Sequence, residues 1–202
     1  MLEQALLVST KASVVWEGRG DSQSQCESSK VRKPHDSVKK IKCRSVERFY
    51  MDTLHTDGGC SPNPGLGGWA YVLEQGGELI EGSGGDRETT NNRMELTAVI
   101  RGLQAVNEGN AVELISDSTY VLKGLSEWMP NWKAAGWTRK VSGKRKPVLN
   151  VDLWKELDAL YESRKVTCTW VKGHSGNPRN ERCDAMVGAI HEAFRRGETV
   201  PG

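Results

Sequence analysis

An α/β sandwich around a mixed five-stranded sheet is predicted from residue 51 onward, and three observations predict it. Short strand-type runs divided by glycine pairs fill residues 54–82. Apolar residues then recur at Leu96, Val99, Ile100, Leu103 and Val106, the spacing of one buried helix face. Beyond them, strand-type and helix-type segments alternate as far as residue 195, the pattern of a layered α/β domain.

Taken in order, 54–60 reads as a strand running into a glycine- and proline-rich loop over 61–68. Segments 69–75 and 78–82 read as strands joined by Gly76-Gly77, a dipeptide that accepts the positive φ of a tight hairpin. Thr90 precedes the amphipathic helix. Segment 112–116 is a buried-type strand ending at Asp117, followed by a helix through Leu125 and a tryptophan-rich helical hairpin with Trp128, Trp132 and Trp137. An amphipathic helix over 151–160, an alternating strand over 166–171 and a closing helix over 180–195 complete the domain, 51–196, and residues 197–202 form a tail.

Residues 1–50 differ in kind. They are rich in Ser and Lys, carry ten basic against six acidic residues, and offer little periodic apolar surface to offset chain entropy. A disordered extension is expected there, with a misassigned start and Met51 as the true first residue as the alternative. Glu3, Glu17 and Asp21 argue against a transit peptide. No apolar run reaches the roughly 18 residues of a membrane span, so no membrane partner is expected. Five scattered cysteines without a Cys-x-x-Cys pair indicate reduced thiols and a cytoplasmic location, with an organellar or nuclear one as the alternative. The net charge of +2 is uninformative, but residues 133–149 carry six basic residues and no acid, a local patch suited to phosphates.

Four carboxylates carry the chemistry: Asp57 in Thr-Asp-Gly-Gly, Glu95 in Asn-Arg-Met-Glu-Leu, Asp117 in Ser-Asp-Ser, and Asp184 in Asn-Glu-Arg-Cys-Asp. Asp57 and Asp117 fall at strand ends, where open sheets hold ligands. Glu95 borders the buried helix face, and Asp184 is expected in the first turn of the last helix. Singly, an Asp near a helix start is only a cap and a border Glu is only solvated. Jointly, four acids drawn together repel one another, and a dication reverses that penalty. Hard oxygen ligands from distant chain positions suit a pair of magnesium ions.

These frames, with Asn63-Pro64-Gly65, Thr89-Thr90-Asn91-Asn92, Trp128 through Trp137, Asn150 through Trp154 and Val171-Lys172-Gly173-His174, occur in order along the chain. Residues 51–195 thereby resemble ribonuclease H of the type 1 family over essentially the whole domain. The resemblance implies the ribonuclease H-like fold with a basic helical protrusion, and a monomer that cuts the RNA strand of RNA–DNA hybrids with two Mg2+ ions, Mn2+ being a substitute. It implies that Asp57 bridges the ions, that Asp184 completes the water-activating site, and that Glu95 and Asp117 hold the ion at the leaving 3′ oxygen. His174 is implied in proton transfer or product release. Cys60, Asn63, Asn91 and Asn92 match positions lining the hybrid's minor groove, where a 2′-hydroxyl distinguishes RNA from DNA. Thr90 matches one that grips a DNA phosphate, and Trp128, Trp132 and Lys133 match the protrusion that meets the DNA strand.

Two departures stand out. Thr119 occupies a position where bacterial relatives often carry Gln, and residues 1–50 do not resemble the hybrid-binding module of many eukaryotic members. No obligate protein partner is inferred. The competing readings are a non-catalytic hybrid-binding module and a DNA nuclease, integrase- or resolvase-like, on the same fold.

Overall fold

The computed structural model describes residues 51–202, so the expectations for residues 1–50 lie outside it. Strands β1 (Asp52–Cys60), β2 (Gly65–Gln75) and β3 (Glu78–Thr89) form an antiparallel meander. Helix α1 (Asn91–Ala105) crosses over to β4 (Ala111–Ser116), which pairs parallel with β1. Next come α2 (Thr119–Lys123), a π-helical turn (Gly124–Trp128) and α3 (Met129–Ala134). A separate hairpin of β5 (Thr138–Val141) and β6 (Lys144–Pro147) precedes α4 (Val151–Ser163). Strand β7 (Lys165–Trp170) pairs parallel with β4, and α5 (Pro178–Arg195) closes the domain. The sheet order is β3-β2-β1-β4-β7, the mixed five-stranded sheet that the sequence predicts.

Strand alternation divides the apolar residues between two faces. Leu54, Leu73, Val112 and Leu114 turn toward α1 and α4, where Leu96, Val99, Leu103, Trp154 and Leu157 complete the main core. Ala70 and Val72 turn the other way and pack against Cys183 and Val187 of α5. Each such fully buried aliphatic side chain contributes about 1.5–3 kcal/mol relative to exposure. Under α2 and α3, Trp154 is fully buried, with ring centroids 5.6 Å from Tyr120 and 5.4 Å from Trp132. Its indole N–H donates to the Tyr120 hydroxyl at 3.1 Å, so the polar edge of the ring is satisfied.

The structure revises several boundaries. Strand β3 runs to Thr89, beyond the predicted end at Gly82, through a stretch whose glycines mask any alternation. Those glycines are dictated by packing: a Cβ at Gly82 would lie 2.4 Å from Tyr71, at Gly84 2.6 Å from Trp69, and at Gly85 2.7 Å from Ile190 and Phe194. Strand β2 likewise starts at Gly65, which shortens the first loop to 61–64. The basic segment is not a helical hairpin. Trp137 leaves the helix at φ 60°, and the positive charge of residues 139–146 is carried by β5 and β6, turned by Ser142 and Gly143 at φ 50° and 78°. Few apolar residues alternate there, so the strand period left no trace in the sequence.

Two glycine substitutions test this packing with opposite signs. A Cβ at Gly124 would meet the Trp154 ring at 2.0 Å, whereas one at Gly188, inside α5, meets nothing within 4 Å. Gly124→Ala is therefore expected to lose about 1–3 kcal/mol. Gly188→Ala should gain about 0.5–1 kcal/mol through helix propensity. Denaturant unfolding midpoints check both.

Candidate active site

Gly58 explains how the first two carboxylates meet. A Cβ at this position would lie 2.3 Å from the Glu95 backbone nitrogen and 2.4 Å from the Met94 carbonyl carbon, so only glycine lets β1 approach α1 this closely. Asp57 is thereby placed on β1 beside Glu95, and its Oδ1 accepts the Gly58 N–H at 2.8 Å. Asp117 follows directly on β4, the parallel neighbour of β1. Gly173 packs against it, since a Cβ there would lie 2.5 Å from Asp117 Oδ2. Asp184 projects from α5, which crosses β1 and β2 on the opposite face from α1. Because α5 begins at Pro178, Asp184 belongs to its second turn rather than the first, and the end charge of the helix acts on it weakly.

The electrostatics register the convergence. Burial pushes the Asp57 carboxyl up to about 6, and the charges of Asp117 and Asp184 push the same way. Glu95 rises to about 7, again by burial first, with Asp117 and Asp57 adding to it and the Ser118 and Asn91 hydrogen bonds opposing. Both Glu95 oxygens are held: Asn91 Nδ2 donates to Oε1 at 2.9 Å, and the Ser118 hydroxyl donates to Oε2. His174, at φ 50° in the loop before α5, is well exposed and brings Nδ1 to 3.7 Å from Asp184 Oδ2. Among the described residues no three acidic, histidine or cysteine side chains close into a ready-made metal cage. Such a cage is not needed for magnesium, which keeps several waters and takes one or two carboxylates per ion. An all-oxygen donor set whose members raise each other's proton affinity fits hard dications, because the cation favours the charged forms that burial disfavours.

A second group gathers at the start of α1. Asn63 Oδ1 accepts the Asn91 N–H at 3.3 Å, which ties the first loop to the helix. Cys60 Sγ lies 3.1 Å from the Pro62 carbonyl oxygen and 3.4 Å from that of Thr89. Thr90 occupies the N-cap position, but its side chain makes no cap bond; its carbonyl oxygen accepts from Arg93 and Met94 instead. Asn92 is exposed beside it. Trp128 and Trp132 lie together on the α2–α3 run with ring centroids 5.8 Å apart. Lys133 Nζ is engaged by Asp158 at 2.8 Å and Glu162 at 2.5 Å, which ties α3 to α4.

Two buried residues of the site were not singled out in the sequence. Ser118 holds Glu95 and also caps α2 through the Val121 N–H. Asn180 points Nδ2 toward Asp117 Oδ2 at 3.5 Å and lies one helical turn before Asp184. The available signal was position: Ser118 follows Asp117, and Asn180 opens the frame that contains Asp184.

The family model described as RNase H matches residues 51–191. The chain belongs to the RNase H family. A ribonuclease H of Rhodopirellula baltica is 52% identical over 143 residues, covering 70% of this chain and 90% of that protein. One of Cupriavidus pinatubonensis is 51% identical over 134 residues, covering 66% and 90%. Among solved structures, LC9-RNase H1, described as a type 1 RNase H with the type 2 active-site motif, matches at TM-score 0.60 and 26% identity over 74% of each chain. The N-terminal RNase H domain of a Mycobacterium tuberculosis protein shares the fold at TM-score 0.55 and 20% identity, covering 73% of this chain and 97% of that one. Family membership makes the protein an endoribonuclease of the hydrolase class, as the ordered motifs implied.

The raised carboxyls set the sign of a pH dependence in the metal-free protein. The folded state binds protons to Asp57 and Glu95 more tightly than the unfolded chain does, so their contribution to stability falls as pH rises from about 4 to about 7. In EDTA, Asp57→Asn is expected to raise the thermal midpoint by about 2–5 °C at pH 8. It should leave the midpoint little changed at pH 4. Melting curves at the two pH values check both the sign and the window.

Proposed function

We propose that the protein cleaves the RNA strand of RNA–DNA hybrids endonucleolytically, leaving 5′-phosphate and 3′-hydroxyl ends, with two magnesium ions at Asp57, Glu95, Asp117 and Asp184. The observation that carries this reading is the convergence of those acids from β1, α1, β4 and α5 in surroundings that raise Asp57 and Glu95 to about 6 and 7. When bound, the ions supply an activated water and charge stabilisation at the leaving 3′ oxygen. Mn2+ is the expected substitute.

Asp57, coupled electrostatically to both Asp117 and Asp184, would help to hold both ions. Asp184 would complete the set holding the ion that supplies the activated water, and Glu95 with Asp117 would hold the ion that stabilises the leaving oxygen. The Ser118 and Asn91 bonds fix both oxygens of Glu95 and so orient it. His174, exposed and 3.7 Å from Asp184, moves a proton at the edge of the site. Cys60, Asn63, Asn91 and Asn92 lie where α1 meets the first loop, and short polar groups there read the 2′-hydroxyls that mark the RNA strand. Thr90 takes a phosphate of the DNA strand. Trp128 and Trp132 give its sugars an aromatic surface, and the exposed strand β6 of the basic hairpin meets its phosphates. Primer and R-loop removal by a cytoplasmic monomer is the role this chemistry suits.

Cleavage of a labelled hybrid in magnesium, beside duplex RNA, duplex DNA and single-stranded RNA, tests the reading; only the RNA of the hybrid should be cut. Asp57→Asn should abolish that cleavage and retain hybrid binding, and appreciable turnover in this variant would remove Asp57 from the bridging role. Cut DNA would move the protein to the integrase or resolvase branch, and binding without cleavage to a non-catalytic module. Removal of charge at Lys144 or Lys146 should lower the salt slope of hybrid affinity by about one unit each. Lys133→Ala, already neutralised by two acids, should change that slope less.

A further inference from the structure

Beside α1, at the β3 edge of the sheet, a cavity of about 550 Å3 lies between β3, α1, the end of α5 and residues 199–202. Three guanidiniums line it: Arg87 from β3, and Arg93 and Arg101 from α1. Arg93 is bound to Asp152 by two hydrogen bonds of 3.2 and 2.8 Å. Arg87 and Arg101 have no carboxylate partner among the described residues. Each lies over an aromatic ring that also lines the cavity: Arg87 4.8 Å from the Phe194 centroid, and Arg101 6.0 Å from that of Trp69. The Asp86 carboxylate, also at the cavity wall, accepts the Glu88 N–H at 2.9 Å in a local turn. The remaining wall is pinned by the Gly85 N–H donating to the Pro201 carbonyl at 2.7 Å and by Arg87 donating to the Glu198 carbonyl at 2.9 Å.

Each guanidinium rests on a ring and spends one N–H on a neutral oxygen, Arg87 on the Glu198 carbonyl and Arg101 on Gln104 Oε1 at 3.4 Å, so its remaining N–H groups, unpaired with any acid, are free to bind phosphate at small entropic cost. We infer that this cavity is a phosphate-binding site, with Arg87 and Arg101 as its ligands. Arg93 also lines a neighbouring hollow of about 370 Å3 that includes Thr90, so the cavity adjoins the surface assigned to the hybrid. The phosphate therefore belongs either to a strand of bound nucleic acid that continues past Thr90 or to a free nucleotide. The first source rests on the proposed function; the second does not.

Both arms of the test use the full chain and the double variant R87Q/R101Q, whose altered side chains are exposed. In the first, thermal midpoints are recorded with inorganic phosphate and with adenosine monophosphate against sodium chloride at matched ionic strength. In the second, hybrid affinity is measured from 50 to 200 mM salt with Asp57→Asn present in both proteins to prevent turnover. A ligand-dependent rise in midpoint that the variant loses assigns the site to free phosphate compounds. A salt slope lower by about one unit in the variant assigns it to the nucleic acid backbone. Equal midpoint shifts together with equal slopes in the two proteins would overturn the site. Neither readout depends on cleavage, so failure of hybrid hydrolysis in the wild type would remove the proposed function while leaving this test intact.

Discussion

The contact between β1 and α1 at Gly58 is the constraint on which the site depends. With a Cβ only 2.3 Å from the Glu95 nitrogen, no other residue fits without parting the strand from the helix. This approach places Asp57 and Glu95, fifty-seventh and ninety-fifth in the chain, in one half-buried space. Parallel pairing of β4 with β1 then delivers Asp117, and the helix over the opposite face delivers Asp184. Burial first, and the like charge so gathered second, disfavour the ionised forms, and the raised carboxyls of Asp57 and Glu95 are the expression of that cost. A bound dication would offset that cost.

The rest of the architecture distributes rigidity around that point. Trp154 and its aromatic neighbours anchor α2, the π-helical turn and α3, while Lys133 joins α3 to α4 through two acids. The basic hairpin, with β6 exposed, is thus carried on a packed aromatic base. On the other face, Arg182 clamps α5 to Glu81 of β3 through hydrogen bonds of 3.0 and 2.7 Å, two residues before Asp184. His174 stands apart from this framework, exposed in a loop where motion is tolerated.

Much of this was legible in the sequence because it rests on local patterns. The one-faced repeat from Leu96 to Val106 specified α1, and the strand before Asp117 specified β4 and the place of that acid. What escaped depends on partners distant in the chain. The extension of β3 through Gly82–Gly85 answers to Tyr71, Trp69 and Phe194, which no periodicity reports. The basic hairpin has no buried face to alternate with, and the early start of α5 follows from the Asn177 cap and Pro178. Ser118 was hidden for a different reason: its ordinary role as a helix cap and its bond to Glu95 coincide in one hydroxyl.

The central claim, that a cation displaces the protons which burial and neighbouring charge hold on an assembled cluster of acids, is most directly tested by counting protons. Isothermal titration of magnesium into the metal-free protein at pH 6.5, in buffers of different ionisation enthalpy, gives the number released. With Asp57 near 6 and Glu95 near 7, about one proton should leave on binding at this pH and almost none at pH 9. Magnesium binding with no proton release at pH 6.5, or no binding at all, would contradict the account.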